Sequence, residues 1–320
     1  MWNYIGRKVN VWFGKETTRG TPTAIVGRNP KASFDFEDKS EKVIDESSIG
    51  VIEDSFDGHV SKQRAEWSFE TNVYANVIWW LLLNVFGEVS STWSGTQYTH
   101  EFSVAENNQH NSLTIGVADE TQDRQFPLAM VNSLELSAEV GDFVKASVDF
   151  RSKKGVNANL TPSYWNDFAL LWKNVLIYLA NDLAGLDSAE PIKATNFSLT
   201  INKNLEDADV LWSVEPEDIC NTMFWVEGNI ELLWNELQYK NLYMEWTKQA
   251  MRIAIIDTNT DLWSANPSLT IDLASVIMTE FAKTQDNDAL IRQGFDFKAL
   301  YSMADSKMIT AKLVNSQATY

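Results

Sequence analysis

The sequence is poor in the residues that most protein chemistry needs. It holds one cysteine, Cys220, among 320 residues, so no disulfide can form within a chain. That fits a protein made in a reducing compartment. Cys220 lies in the run EDICNTMFW, whose apolar neighbours mark a buried structural thiol rather than a nucleophile. Of the three histidines, His59, His100 and His110, none has a ligand partner at helical spacing. HxxxH, CxxC and HExxH are absent, which argues against a zinc site. GxSxG and GxxxxGK[ST] are missing too, and no GxGxxG follows a strand, so acyl transfer and nucleotide binding lose their usual signatures. No cofactor is expected. Basic residues are scarce, 26 against 44 acidic, for a net charge of −18. That excludes a tight grip on a nucleic-acid backbone, which needs clustered Lys and Arg, but not a surface past which nucleic acid slides. The longest apolar run, residues 77–86, is too short to span a bilayer, and the N-terminal stretch lacks the apolar core of a signal peptide. No membrane insertion is expected.

What is present is repeated. NSLTIGV (111–117) has an echo in PSLTIDL (267–273), and SLELSAEV (133–140) in GFDFKALY (294–301). Upstream, SFDFE (33–37) matches FSLTI (197–201), and EWSFET (66–71) matches EGNIEL (227–232). A self-similarity held at one offset of roughly 160 residues signals two copies of one domain. The expected division is 1–155 for the first copy, 156–172 for a polar linker, and 173–320 for the second.

Short alternating runs dominate, as in antiparallel sheets with one buried face. Leu134, Leu136, Ala138 and Val140 alternate with Ser133, Glu135, Ser137 and Glu139; Gly141-Asp142 then signals a turn, and Val144, Ala146, Val148 and Phe150 resume the pattern. This predicts a hairpin. A matching hairpin is expected from Phe295, Phe297, Ala299 and Tyr301, a turn near Ala304-Asp305, and Ile309, Ala311 and Leu313. Each copy also predicts one helix. Tyr239, Leu242, Tyr243 and Trp246 form an apolar stripe in the second copy, and Tyr74, Val77, Ile78 and Leu81 in the first, with Gly87 as its stop. Trp79, Trp80 and Leu83 lie off that stripe and need covering, by a loop of the same chain or by another subunit. Residues 37–62 form a long charged insertion without clear periodicity, its counterpart near 202–218 being shorter; such a segment is functional or mobile.

Acidic pairs such as Glu66 with Glu70, or Glu135 with Glu139, could serve glycoside hydrolysis, but a chain this acidic makes such pairs by composition. Asp54, Asp57 and Gly58 lack the spacing of a calcium loop. The 13 tryptophans could form a sugar-binding platform on a β-sandwich, although Trp80 and Trp246 fall within apolar patterns where packing explains them.

The opening RKVNVWFGKETTRGTPTA (7–24) resembles the start of phage tail tube proteins. The resemblance continues through ESSIG (46–50), KQRAEWSFE (62–70), YTHEF (98–102) and MVNSLELSAEVGDFVKASVDFRSKKG (130–155). It covers the second half in LAGLDSAEPIKATNFSLTINKNLE (183–206), EPEDI (215–219), NPSLTIDLASVIMTEF (266–281) and FKALYSMADSKMITAKLVN (297–315). It implies a mainly β fold: two tandem antiparallel β-sandwich or barrel domains, each with one flanking α-helix, whose strands join those of neighbours. It implies a non-enzymatic virion protein, assembled in the host cytoplasm into stacked rings that conduct DNA during ejection. Its partners would be further copies of the chain, a tape-measure protein, a tail terminator and distal tail proteins. A chain with two tube domains would need three copies for a pseudo-hexameric ring, which suits a sheathless tail. Within that frame Glu66, Glu70, Glu135, Glu139, Asp149, Glu227, Glu231 and Asp296 are candidates for the DNA-facing lumen. Trp79, Trp80 and Leu83 are candidates for lateral contacts. Lys39, Glu41, Asp45, Glu46, Glu53, Asp54 and Asp57 are candidates for an arm between rings. A carbohydrate-binding β-sandwich is the alternative.

Overall fold

The computed structural model describes residues 6–317 apart from 30–31, 48–49, 53, 56, 96, 162–166, 168, 234–236, 261, 263–265 and 285–289, with backbone only at 7, 28–29, 32, 34 and 36. The first half runs β1 (Asn10–Lys15), β2 (Gly27–Asn29), β3 (Ala32–Asp45), β4 (Asp57–Asn72), α1 (Ile78–Phe86), β5 (Gly87–Trp93), β6 (Tyr98–Val104), β7 (Leu113–Ala118), β8 (Arg124–Glu139), β9 (Lys145–Ser152) and β10 (Val156–Asn157). The second runs β11 (Val175–Ala180), β12 (Ala194–Asn202), β13 (Leu205–Ala208), β14 (Asp218–Asn221), β15 (Trp225–Leu233), α2 (Gln238–Met244), β16 (Gln249–Ile256), β17 (Ser268–Thr284), β18 (Arg292–Ala299) and β19 (Ile309–Asn315). The fold is mainly β, of sandwich type, with two short helices.

One long sheet passes through both halves in the order β3-β4-β9-β8-β12-β15-β18-β17. Its apolar face carries Trp67, Phe69, Leu134, Leu136, Val148, Phe150, Leu199, Ile230, Phe295 and Phe297, each at most 5% exposed. Trp67 stacks on Phe150 at 4.9 Å between ring centres, and Phe13 of β1 meets Phe69 at 6.0 Å from the facing layer. Fully burying one such side chain stabilises by about 2 kcal/mol. Together these rows join both halves into one continuous core.

β8 and β17 are long because each serves two layers. The first part of β8 pairs with β7 and β10, the last part with β9 and β12. The first part of β17 pairs with β16 and β19, the last part with β18. Both strands change layer at a bulge, between Val131 and Ser133 in β8 and between Met278 and Glu280 in β17. The extra residue bends the strand there.

The shared bulge corrects the repeat expected from sequence. β17 is the counterpart of β8, β18 of β9, β19 of β10 and β16 of β7, so the SLTI echo aligns strands that do not occupy equivalent places. The cause is the β5–β6 hairpin, which has no counterpart after α2 and shifts the numbering. The expected hairpin over 295–313 is also corrected. β18 and β19 do not pair with each other but lie end to end along β17, joined by a tight turn closed by a Ser302–Lys307 bridge. The β8–β9 hairpin forms as expected, with Gly141 at φ 98°.

α1 ends where Gly87, at φ 85°, returns its N–H to the Leu83 carbonyl, a left-handed stop that only glycine adopts without strain. It starts at Ile78, so Tyr74 and Val77 belong to the preceding turn. In α2, Tyr239 is buried and Leu242 and Tyr243 pack against the core, but Trp246 is expelled past the helix end, 63% exposed at φ 51°. The segment 156–172 is tied down where it is described: Val156 and Asn157 pair with β8, and Ala169 and Leu171 bridge to Tyr74 and Phe143. No described helix is long and apolar enough to cross a membrane.

Candidate functional site

The polar face of the long sheet gathers all eight acidic residues singled out in the sequence. Residues paired across strands share a face, and one row reads Glu70, Ser147, Glu135, Thr200, Glu227, Lys298 from β4 to β18. The next reads Lys145, Ser137, Ser198, Asn229, Asp296. Glu139, Asn196 and Glu231 form a third, and Asp149 sits beside Ser68 and Ser133. Glu66 lies on the same face of β4.

The face is not uniformly acidic. Glu66 takes hydrogen bonds from Lys39 at 2.5 Å and from Arg64 at 2.8 Å. Burial pushes its carboxyl up, but these two cations outweigh burial and hold it below 4.5. Glu70 meets Lys145 at 3.5 Å, and Glu231 meets Arg292 at 3.2 Å. Among the described residues Glu135, Glu139, Asp149, Glu227 and Asp296 have no ion-pair partner, Asp149 and Asp296 accepting only from Ser133 and Asn229, so these five carry the face's excess charge. Two equivalent polar grooves cross it at the bulges. One, of about 330 Å³, runs over Glu66, Asn132, Asp149 and Arg151; the other, of about 310 Å³, runs over their counterparts Glu227, Thr279, Asp296 and Lys298.

The lateral-contact residues are corrected. Trp79 is 4% exposed, Trp80 1% and Leu83 0% within the single chain. Every residue of α1 is buried, and Trp79 packs edge-on against Trp80, His100 and Phe102. The cover the sequence called for comes from the chain itself, and these side chains offer no surface to a neighbour.

The segment 37–62 is likewise not irregular. β3 and β4 pair from Ala32–Thr71 out to Asp45–Asp57, a long two-stranded arm with one register shift between Glu41 and Lys42. Lys39, Glu41 and Asp45 lie on β3, Asp57 on β4, and Glu46 and Asp54 in the exposed tip; Glu53 lies outside the described residues. Its counterpart in the second half is a hairpin of the same register and, as expected, shorter. Lys42–Val60, Val43–His59, Ile44–Gly58 and Asp45–Asp57 pair as Leu205–Asn221, Glu206–Cys220, Asp207–Ile219 and Ala208–Asp218 do. The β13–β14 hairpin is the second half's arm. Cys220 sits there half-buried, its thiol pushed up by burial and then by Asp218.

Sequence reasoning missed two features. Glu280 continues the polar face onto β17, hidden because the bulge at Thr279 reverses the alternation. Lys203, between β12 and β13, is fully buried, its Nζ 2.7 Å from the Asn84 carbonyl in the last turn of α1. No periodicity flags a lysine there.

A sheet with one apolar face in a core, one polar face bare and a projecting arm is a surface built for assembly. The family model for phage tail tube proteins matches residues 6–299. The chain belongs to that family. No curated protein sequence matches it. As a tail tube protein it is a structural component of a phage tail. Among the described residues, no group of three or more His, Cys, Asp or Glu could hold a metal ion.

Proposed function

We propose that the chain is the major tube subunit of a phage tail, that three copies close into a pseudo-hexameric ring, and that stacked rings conduct DNA during ejection. Residues 1–155 and 173–320, joined by 156–172, act as two tube domains, so three chains supply six. One observation supports this reading above the rest. The chain already contains one junction between its halves, β8 against β12, and the counterparts of those two strands are its open edges. β12 corresponds to β3 and the last part of β8 to the last part of β17; among the described residues β3 pairs only with β4, and the last part of β17 only with β18.

Transposing the β8–β12 register onto two chains sets Lys39 of one against Glu280 of the next, Glu37 against Ala282, and Asp35 against Thr284. Long open edges invite uncontrolled pairing, and closing them into a barrel removes both. The eight strands of the long sheet in each chain, at about 4.8 Å spacing and roughly 40° tilt, give a three-chain wall about 50 Å across between backbones. That leaves room for a hydrated duplex.

The polar face then lines the bore, with Glu66, Glu70, Glu135, Glu139, Asp149, Glu227, Glu231 and Asp296 toward the DNA. A net-negative wall keeps phosphates from adhering, over a screening length of about 8 Å. The exposed tip of the arm, with Glu46 and Asp54, reaches the next ring beyond the paired strands, and tape-measure, terminator and distal tail proteins meet the tube in the virion tail, assembled in the host cytoplasm. Lys39→Glu should block tube formation, Glu280→Lys should do the same, and the two together should restore it. No rescue in the double variant would overturn the register. Reversing Glu135 and Glu139 to Lys should leave tubes intact and slow DNA ejection; unchanged ejection kinetics would remove the lumen assignment.

A further inference from the structure

The two arms have the same strand register but opposite postures. The second half's arm breaks from its sheet at Lys203 and Asn204, the latter at φ 47°, and folds as a separate two-stranded ribbon, β13–β14, over the first half. There Leu205 and Ile219, on one face of the ribbon, bury against Leu128 and Met130. Asn132 Oδ1 accepts from the Leu205 N–H at 3.2 Å. Asp207 meets Arg151 at 3.2 Å, Asp218 meets Arg19 at 2.6 Å, and the Gln63 N–H donates to the Val214 carbonyl at 2.7 Å. This ribbon crosses the β8–β12 junction and fastens it.

The first half's arm runs straight on from β3 and β4. On the equivalent face Lys42 and Gly58 stand in the places of Leu205 and Ile219, while Ile44 and Val60, in those of Asp207 and Asn221, are 57% and 40% exposed. Two branched apolar side chains on one face of an exposed ribbon, with Val43 60% exposed on the other, mark a surface awaiting cover. Its register shift, between Glu41 and Lys42, falls where the second arm bends.

We propose that on assembly this arm bends at that shift and docks across the junction onto the preceding chain of the same ring, as β13–β14 docks within the chain. The proposal rests on the ring reading above and names the contact that fastens it. The receiving surface follows from the strand equivalences. Thr279 takes the place of Asn132, Ile277 that of Met130, Lys298 that of Arg151, and Met223 and Phe224 those of Lys62 and Gln63. These places suit the arm. Thr279 and Lys298 are exposed, Lys298 suits the acidic ribbon with Asp45 and Asp57, and Met223 is 55% exposed. Met223, Phe224, Tyr301 and Met308 edge an open cavity of about 570 Å³, over whose mouth the arm would pass. The free chain lacks the preceding copy, so its arm stays straight.

Lys42 and Thr279, the counterparts of Leu205 and Asn132, are both exposed and suit a disulfide test. Tubes of a Lys42→Cys, Thr279→Cys variant in a Cys220→Ser background should, on oxidation, yield linked dimers and trimers and nothing larger. Products longer than three chains would place the arm on another ring and overturn the proposal. So would the absence of cross-links in well-formed threefold tubes, an outcome that leaves the ring reading standing. Loss of threefold symmetry in parental tubes would instead defeat the ring reading. Should the cysteine variant not assemble, hydrogen exchange on the parent decides. Amides of residues 42–45 and 57–60 should slow at least tenfold between free chain and tube, and unchanged exchange would overturn the docking.

Discussion

Lys203 is the side chain whose position is hardest to reconcile with its chemistry. Burial, and then the charge of Arg19, push its pKa well below 10.5, since an ammonium loses its hydration when buried. It gains the Asn84 carbonyl, one of the acceptors a helix leaves open at its end. Unfolded, the amine takes a proton that the native chain resists, so stability should rise with pH from the lowered native value up to 10.5. Lys203→Met should stabilise the free chain by about 1–3 kcal/mol near neutrality and abolish that rise, as measured by denaturant unfolding at several pH values. Glu16 is the opposite case. Its carboxylate accepts from the Gly20 and Leu128 N–H groups, both at 2.8 Å, and from the Ser112 and Thr114 hydroxyls at 2.5 and 2.9 Å. Leu128 is held at φ 56°, a conformation that leucine adopts only when its surroundings fix it. Glu16→Ala should cost about 3 kcal/mol, because the buried Leu128 N–H and the half-buried Gly20 N–H lose their acceptor, and thermal unfolding checks it. Neither residue was legible in advance. In the sequence both look like ordinary surface charges, and only long-range packing brings their partners together.

At the scale of elements, alternation was the most informative signal and bulges were its limit. The polar and apolar faces of β4, β8, β9, β15 and β18 could be read directly, because period two needs no tertiary information. The same rule failed at Thr279, where one extra residue reverses the phase and hides Glu280. α1 was readable as a helix with its Gly87 stop. Its all-round apolar surface correctly demanded cover, but pattern could not say whose, and the chain supplies it through β5, β6 and β8. The arm lacked visible periodicity because its distal strands are solvated on both faces. Its exposed apolar pair yields an element-scale prediction. Ile44→Asp with Val60→Asp should leave the free chain's melting unchanged and raise the concentration needed for tube assembly at least tenfold, followed by light scattering. Assembly at the parental concentration would count against the arm as a fastening element.

For the whole molecule, duplication was visible as an echo, but its alignment was wrong beyond the first two strand pairs because the β5–β6 hairpin occurs once. The corrected equivalences matter more than the echo itself. They show a chain that makes one junction internally and exposes the two halves of the same junction at its ends. Under the proposed assembly such a chain closes with further copies of itself, three chains supplying the six domains of a ring. Membership of the tail tube family and the acidic polar face are both consistent with that closure. A cryo-electron microscopy reconstruction of assembled tubes decides the matter. Threefold rings, with β3 of one chain paired to the end of β17 in the next and Lys39 facing Glu280, are the expected result. Rings of another symmetry, or chains meeting through surfaces that leave both strand edges open, would contradict it.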